Sequence, residues 1–232
     1  MAVLISKQIK VLSAGKRASD YAVGDSVFLP VNGTNTEFIV VHQGNPDSSI
    51  YSTTFNGCTW LMMKDAFGST VSATSGNNNY SVSPIDSTAN VTFYNALSAA
   101  AQGAIQEVKI PYRPGTGTSK TCNTLENGLA RKCFVLSIAE VGLESASSYA
   151  PTNEGAKLSY FTEGDGTDAC NKRKLSNYQW TRSPYCSGSN GRFYSINSEG
   201  KHYSSSSPAL VRPVLVIGGN TKFDPNTNVI MG

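Results

Sequence analysis

Apolar and polar residues alternate along this chain in short runs bounded by Gly, Asn and Ser. Val23-Gly24-Asp25-Ser26-Val27-Phe28-Leu29 reads as a turn followed by a strand. Asn32-Gly33 is a two-residue hairpin signal, because both residues tolerate the left-handed backbone that a tight hairpin requires. The β-rich run Glu37-Phe38-Ile39-Val40-Val41-His42 is the partner strand, and Cys58-Thr59-Trp60-Leu61-Met62-Met63 predicts a further buried strand. Residues 69–87, rich in Ser and Asn, read as an exposed loop. The period then lengthens. Val91, Tyr94 and Leu97 fall at helical spacing within 87–97, and Ser98 stands as the N-cap of a second helix over 99–105. Residues 111–128, rich in Pro, Gly and Thr, read as a long loop, and 133–136 as a short strand. Ser137-Ile138-Ala139-Glu140 matches a capping box, in which Ser and Glu satisfy each other's backbone donors, and Gly142 keeps the helix it opens short. The last third predicts strands at 178–182, 192–196 and 201–203, a hairpin turn at Asn197-Ser198-Glu199-Gly200, and a closing apolar strand over 208–217.

These elements divide the 232 residues into an N-terminal arm (1–22, docking or flexible), one domain (23–217) and a polar tail (218–232), with no internal repeat. Charged residues make up 15%, against roughly 25% in an average soluble domain. Ser, Thr and Asn fill the difference, at 68 of 232 positions. A surface polar through hydroxyl and amide groups suits extracellular adhesive and virion proteins better than a cytosolic enzyme. A net charge of +3, dispersed along the chain, does not point to nucleic acid. No apolar run approaches the ~18 residues of a transmembrane helix, and residues 1–10 lack the apolar core of a secretory signal.

The five cysteines, Cys58, Cys122, Cys133, Cys170 and Cys186, are odd in number and form no C-x-x-C pair. That fits neither a disulfide framework nor a zinc site, so buried free thiols are expected, with a Cys122–Cys133 or Cys170–Cys186 bridge left open. Glu163, Asp165 and Asp168 offer oxygen ligands, but not at the spacing of a calcium loop. His42 and His202 have no acid near them in sequence. No catalytic set, metal or cofactor is therefore expected.

The richest signal is the Tyr/Ser/Asn/Gly stretch 178–207, which includes Ser187, Ser189 and Asn190. Tyr gives large contact area at low entropic cost while Ser, Asn and Gly give adaptable hydrogen bonds, as in antibody loops. The candidate ligand-binding residues are Tyr178, Tyr185, Arg192, Tyr194, Asn197, His202, Tyr203 and Ser205. Trp180, Arg182 and Arg212 are expected to hold the fold instead.

Several short pieces of the chain bear on ancestry. Trp180-Thr181-Arg182-Ser183-Pro184, 191–198, Gly200-Lys201 and Val211-Arg212-Pro213-Val214-Leu215 resemble a signature W-x-R-[ST]-P … V-x-x-x-G … V-R-P-[AV]-L. Val23-Gly24-Asp25-Ser26-Val27, Phe93-Tyr94-Asn95-Ala96-Leu97-Ser98 and 134–142 are similar to further elements of the same uncharacterised domain family, frequent in Gram-positive bacteria and their phages. The resemblance spans about 23–217. It implies an α+β, C-type-lectin-like fold: a twisted antiparallel sheet, two or three short helices and long irregular loops. Formylglycine-generating enzymes and variable phage tropism proteins share that architecture, and the phage proteins diversify residues near the end matching 178–207. The Trp-Trp pair of the family is Gln179-Trp180 here, and the Glu-Pro-Asn and Trp-Asn-Asp motifs of calcium-dependent lectins are absent.

The resulting expectation is a non-enzymatic virion surface protein of a phage, a tail-fibre or receptor-binding tip or a capsid decoration. It would meet a host cell-surface glycan or protein, dock on other virion proteins through its arm and form a homo-oligomer, with a trimer suggested by fibre architecture. A bacterial surface adhesin module is the alternative. A formylglycine-type oxidase is the more distant one, and it would need Cys170 and Cys186 side by side in an open groove.

Overall fold

Asn32 and Gly33 set the first register of the structure. Both have positive φ, 48° and 78°, and they close a two-residue hairpin between Ser26–Val31 and Thr34–Gln43 in which Val31 pairs with Thr34 and Ser26 with Ile39. The computed structural model describes residues 15–73, 76–143, 148–187 and 191–232. In chain order its strands are β1 (Lys16–Arg17), β2 (Ser26–Val31), β3 (Thr34–Gln43), β4 (Cys58–Met63), β5 (Phe67–Val71), β6 (Val108–Ile110), β7 (Leu129–Arg131), β8 (Cys133–Phe134), β9 (Gln179–Pro184), β10 (Phe193–Ile196), β11 (His202–Ser205), β12 (Ala209–Val211), β13 (Val214–Gly218) and β14 (Lys222–Phe223).

Two five-stranded sheets carry the fold. The first has the order β2-β3-β4-β13-β8 and is antiparallel throughout. It is buried on both faces, which is why its central strands read as continuous apolar runs. Trp60, Met62, Val214 and Val216 point into one cluster, while the alternate residues Leu61, Met63, Leu215 and Ile217 point into the other. The second sheet, β11-β10-β9-β12-β5, covers the first cluster with Trp180, Phe193, Ile196 and Val211. It is antiparallel except where β12 meets β9. Helices cover the other face. α1 (Pro84–Ser87), a π-helical stretch (Thr88–Phe93) and α2 (Tyr94–Ala96) run on as one segment, followed by α3 (Ala99–Ala104). Phe93, Leu97 and Ala101 pack there against Phe38 and Leu215. Ser98 caps α3 as its sequence predicts, its Oγ accepting from the Ala101 N–H at 3.3 Å. The architecture is mixed α+β, dominated by antiparallel pairing with few short helices.

Four expectations are corrected. Residues 69–87 are not one exposed loop. β5 lies there, Tyr80 is fully buried with its hydroxyl oxygen accepting from the Val135 N–H, and Asp86 pairs with Arg131 at 2.6 Å. The apolar run 208–217 is two strands in two sheets, because Pro213 lacks the N–H that would continue the ladder and the chain crosses over at Arg212-Pro213. The capping box at Ser137 forms both of its bonds, at 2.9 and 3.1 Å, yet opens only a turn. Gly142, at φ 78°, closes it at once. Finally, the boundaries at residues 22 and 218 do not separate loose ends from a body. β1 pairs with β14, and Ala18, Tyr21, Phe223 and Ile230 are buried in the helix-side core. Residues 1–14 of the arm lie outside the described residues.

Candidate ligand-binding surface

The eight residues expected to form a binding surface divide into two groups. Tyr203 on β11 is 55% exposed and Tyr178 is 37% exposed. Their rings meet edge to face, 5.9 Å between centroids. Arg192 is exposed as well. Tyr194 is not part of the surface. It lies on β10, an interior strand buried on both faces, with its ring between Tyr185 at 5.4 Å and His202 at 6.0 Å. Ser205 is buried too, its Oγ accepting from the Ser207 N–H at 2.9 Å. Asn197 spends its side chain on the hairpin turn, where its Oδ1 accepts from the N–H groups of Glu199 and Lys201. His202 and Tyr185 are half-buried. Ser189 and Asn190 lie outside the described residues. The exposed set is therefore Tyr178, Tyr203 and Arg192.

An open groove of ≈ 710 Å³ lies beside the strand ends that carry Tyr178. It is lined by the end of α4 (Thr167–Arg173), the β4–β5 turn and the start of β12, with Lys64, Asp65, Tyr160, Lys172, Lys174 and Ser176 among its walls. Ser176 stands two residues before Tyr178, Ser198 comes from the β10–β11 turn, and the Leu210 N–H donates to the Tyr178 carbonyl at 2.8 Å. The cations there are held differently. Lys64 pairs with Glu37 at 2.8 Å, and Lys172 pairs with Asp168 at 3.1 Å while lying 5.7 Å from the Tyr160 ring centroid. Lys174 is exposed and makes no salt bridge among the described residues. Arg212, 7% exposed, lines the groove and donates to the carbonyls of Met63 (2.9 Å), Lys64 (2.7 Å) and Arg173 (3.3 Å). Among the described residues no carboxylate forms an ion pair with it, and burial pushes its pKa down to about 10, with Tyr160 and Asp65 pulling the other way.

Arg182, inside the molecule, is the opposite case. All five of its N–H donors find acceptors. They are the carbonyls of Pro111, Val135 and Glu154 and both oxygens of Glu140, the latter at 2.6 and 2.7 Å. Glu140 also accepts from the Tyr51 hydroxyl and the Ser137 N–H. The expectation that Arg182 holds the fold rests on this geometry, which joins β9 to three loops. Glu154 lies alongside, with Ser183 Oγ donating to one carboxylate oxygen and the other oxygen buried without a partner.

Other groups that carry chemistry are committed elsewhere. All five cysteines are free thiols, as expected, and neither of the bridges the sequence left open forms. Cys170 lies on α4 against Arg173 and the Asp165 carbonyl. Burial raises the Cys186 thiol, whose charged neighbours are Arg113, Glu154 and Lys120. The two therefore sit in different surroundings. Asp165 pairs with Arg173 and Asp168 with Lys172, which ties the acidic stretch to α4. Among the described residues no group of three His, Cys, Asp or Glu is arranged to hold a metal. One contact was invisible in the sequence. Ser159 Oγ lies 2.9 Å from His42 Nδ1, across 117 positions. The Ser159 N–H shares that nitrogen at 3.2 Å, so the imidazole clamps a loop onto β3. Burial lowers the His42 pKa and keeps the ring neutral. A nucleophile–base pair needs a third group to orient the base, and no hydrogen bond to the other ring nitrogen is present among the described residues. The groove residues Lys64, Lys172 and Lys174 also escaped sequence reading, because lysines scattered over two elements carry no local motif.

Comparison with protein families gives one match, over residues 56–219, to a family described as a domain of unknown function. No curated protein and no solved structure matches the chain.

Proposed function

We propose, for a chain that belongs to the DUF6273 family of domains of unknown function, a role as a non-enzymatic recognition module displayed on a phage virion. The observation that carries this reading is the exposed Tyr178–Tyr203 pair beside an open polar groove. Two exposed rings braced edge to face offer a rigid, amphipathic corner against which a sugar or an apolar patch can pack. Low charge and a Ser/Thr/Asn-rich composition fit display outside a cell. The fold is read as C-type-lectin-like, supported by two antiparallel sheets, few short helices and long loops. The segment ahead of β1 would dock the module on other virion proteins, as a homo-oligomer and in fibre form a trimer. The ligand would be a host cell-surface glycan or protein.

Immunogold electron microscopy of particles, with antibody against this chain, tests the placement. Label at tail tips or over the head supports the virion reading, and particles without label overturn it in favour of a bacterial surface adhesin. Host-cell adsorption tests recognition. Replacing both Tyr178 and Tyr203 by Ala is expected to lower adsorption by about tenfold, the scale of losing aromatic anchors. Unchanged adsorption by that folded double variant counts against the module.

A further inference from the structure

We infer that the groove lined by Lys174 and Arg212 takes an acidic glycan, whose carboxylate or phosphate groups meet those two cations while a sugar face lies against the Tyr160 ring. This rests on the recognition-module reading and narrows it to a ligand class. The first support is charge. Four cations line the groove against one carboxylate, Asp65. Lys64 is tied to half-buried Glu37, whereas Lys172 pairs with the exposed Asp168, and a surface pair of that kind is weak and readily exchanged for a ligand anion. Lys174 has no such partner to give up. The second support is Arg212. Each of its three nitrogens donates to a carbonyl, and among the described residues no carboxylate forms an ion pair with this low-exposure guanidinium, Asp65 acting on it only through space. An unpaired charge at a low-exposure position costs free energy unless an opposite charge completes it. An anion entering the groove, which Arg212 lines, would supply that charge.

The remaining walls argue for a sugar rather than a peptide or a nucleic acid. Tyr160 stands in the groove, so a ring is available there for sugar C–H edges. Ser176, Ser198 and Asn171 present the hydroxyl and amide groups that pair with sugar hydroxyls. The apolar residues Ile39, Ala66, Leu175 and Leu210 are interspersed among charged and hydroxyl-bearing ones, a mix that suits a sugar better than the clustered hydrophobic anchors of a peptide. The cations are few and unevenly spaced, unlike the basic stripe that follows a nucleic-acid backbone.

The test is calorimetric titration of the full chain with polygalacturonate, which carries carboxylates, with neutral dextran, and with single-stranded DNA as a charge-only control. Polygalacturonate is expected to bind most tightly at low ionic strength and to weaken as salt screens the contact. Lys174→Glu is expected to weaken it by about tenfold with an unchanged melting temperature, since the side chain is exposed and unpaired. Lys201→Glu, a reversal outside the groove, is expected to leave binding unchanged. Equal affinity for dextran, tighter binding of DNA, or a Lys174→Glu protein that binds like the parent each overturns the acidic-glycan assignment. The adsorption assay with the Tyr178 and Tyr203 variant reads the module separately, so either idea can fail alone.

Discussion

Arg182 and Arg212 are both buried, both follow the sequence signature, and differ in how their charge is met. Arg182 has a donor-for-acceptor match at every N–H and a carboxylate across from it. Such a pair is costly to desolvate, and breaking it by removing one partner is costlier still. Its neighbour Glu154 has the weaker position. Burial raises its pKa from 4.5 to about 7, with Arg182 and Ser183 pulling the other way but not far enough. The carboxyl therefore holds a proton in the folded protein at pH values where the unfolded chain has lost it. That contribution is complete below about pH 4.5 and disappears as pH rises through about 7. Its size is of order ~3 kcal/mol. The urea midpoint is expected to fall from pH 5 to pH 8, and Glu154→Gln is expected to flatten that slope. His42, lowered by burial, acts in the opposite sense, so the wild-type-minus-Gln difference isolates Glu154. Identical slopes in the two proteins would mean that the carboxyl ionises freely.

At the scale of elements, turns do much of the positioning. Gly200, at φ 84°, closes the β10–β11 hairpin, and a Cβ there would stand 2.6 Å from the Cys170 Cα on α4. Its carbonyl accepts from Arg173 Nε at 2.8 Å. Gly200→Ala is thus expected to cost at least ~2 kcal/mol, from backbone strain and a collision with main chain that cannot yield. Gly33→Ala has the same sign of φ but open space around it, so it should cost only about 1 kcal/mol. Equal costs in chemical denaturation would show that the α4 contact is slack. Elements governed by neighbours in sequence were legible in advance. The Asn32-Gly33 hairpin, the Ser98 cap and the reciprocal bonds of Ser137 and Glu140 each depend on residues within four positions. Features set by distant contacts were not. The crossing at Arg212-Pro213 is apolar on both sides and reads as one strand. Tyr194 carries the composition of a binding loop yet serves as core, because sheet order, not local pattern, makes β10 an inner strand. Tyr178 and Tyr203 were legible as surface residues, whereas the groove is assembled from lysines more than 100 positions apart, Lys64 and Lys172.

For the molecule as a whole, the terminal segments belong to the helix-side layer. Phe223 is fully buried, Ile230 nearly so, and the Asn228 carbonyl accepts from the Phe28 N–H at 2.8 Å, adding a contact to the open edge of β2. Deleting 219–232 is expected to lower stability by about 3 kcal/mol or more, from the loss of two buried side chains alone. A truncated chain with the parent's denaturation midpoint would show that this layer is dispensable. The clasp between Lys16–Arg17 and Lys222–Phe223 also brings the two ends of the described chain together, close enough that a Cβ on Gly15 would touch the Met231 sulfur. Over residues 15–232 the backbone is nearly a closed ring. In a chain shortened to those residues, a short linker between 15 and 232 with a new opening in the exposed loop at 115–119 would give a circular permutant with every sheet contact intact. The same ring geometry means that cargo attached at residue 15 and cargo attached at residue 231 would leave from one pole of the molecule.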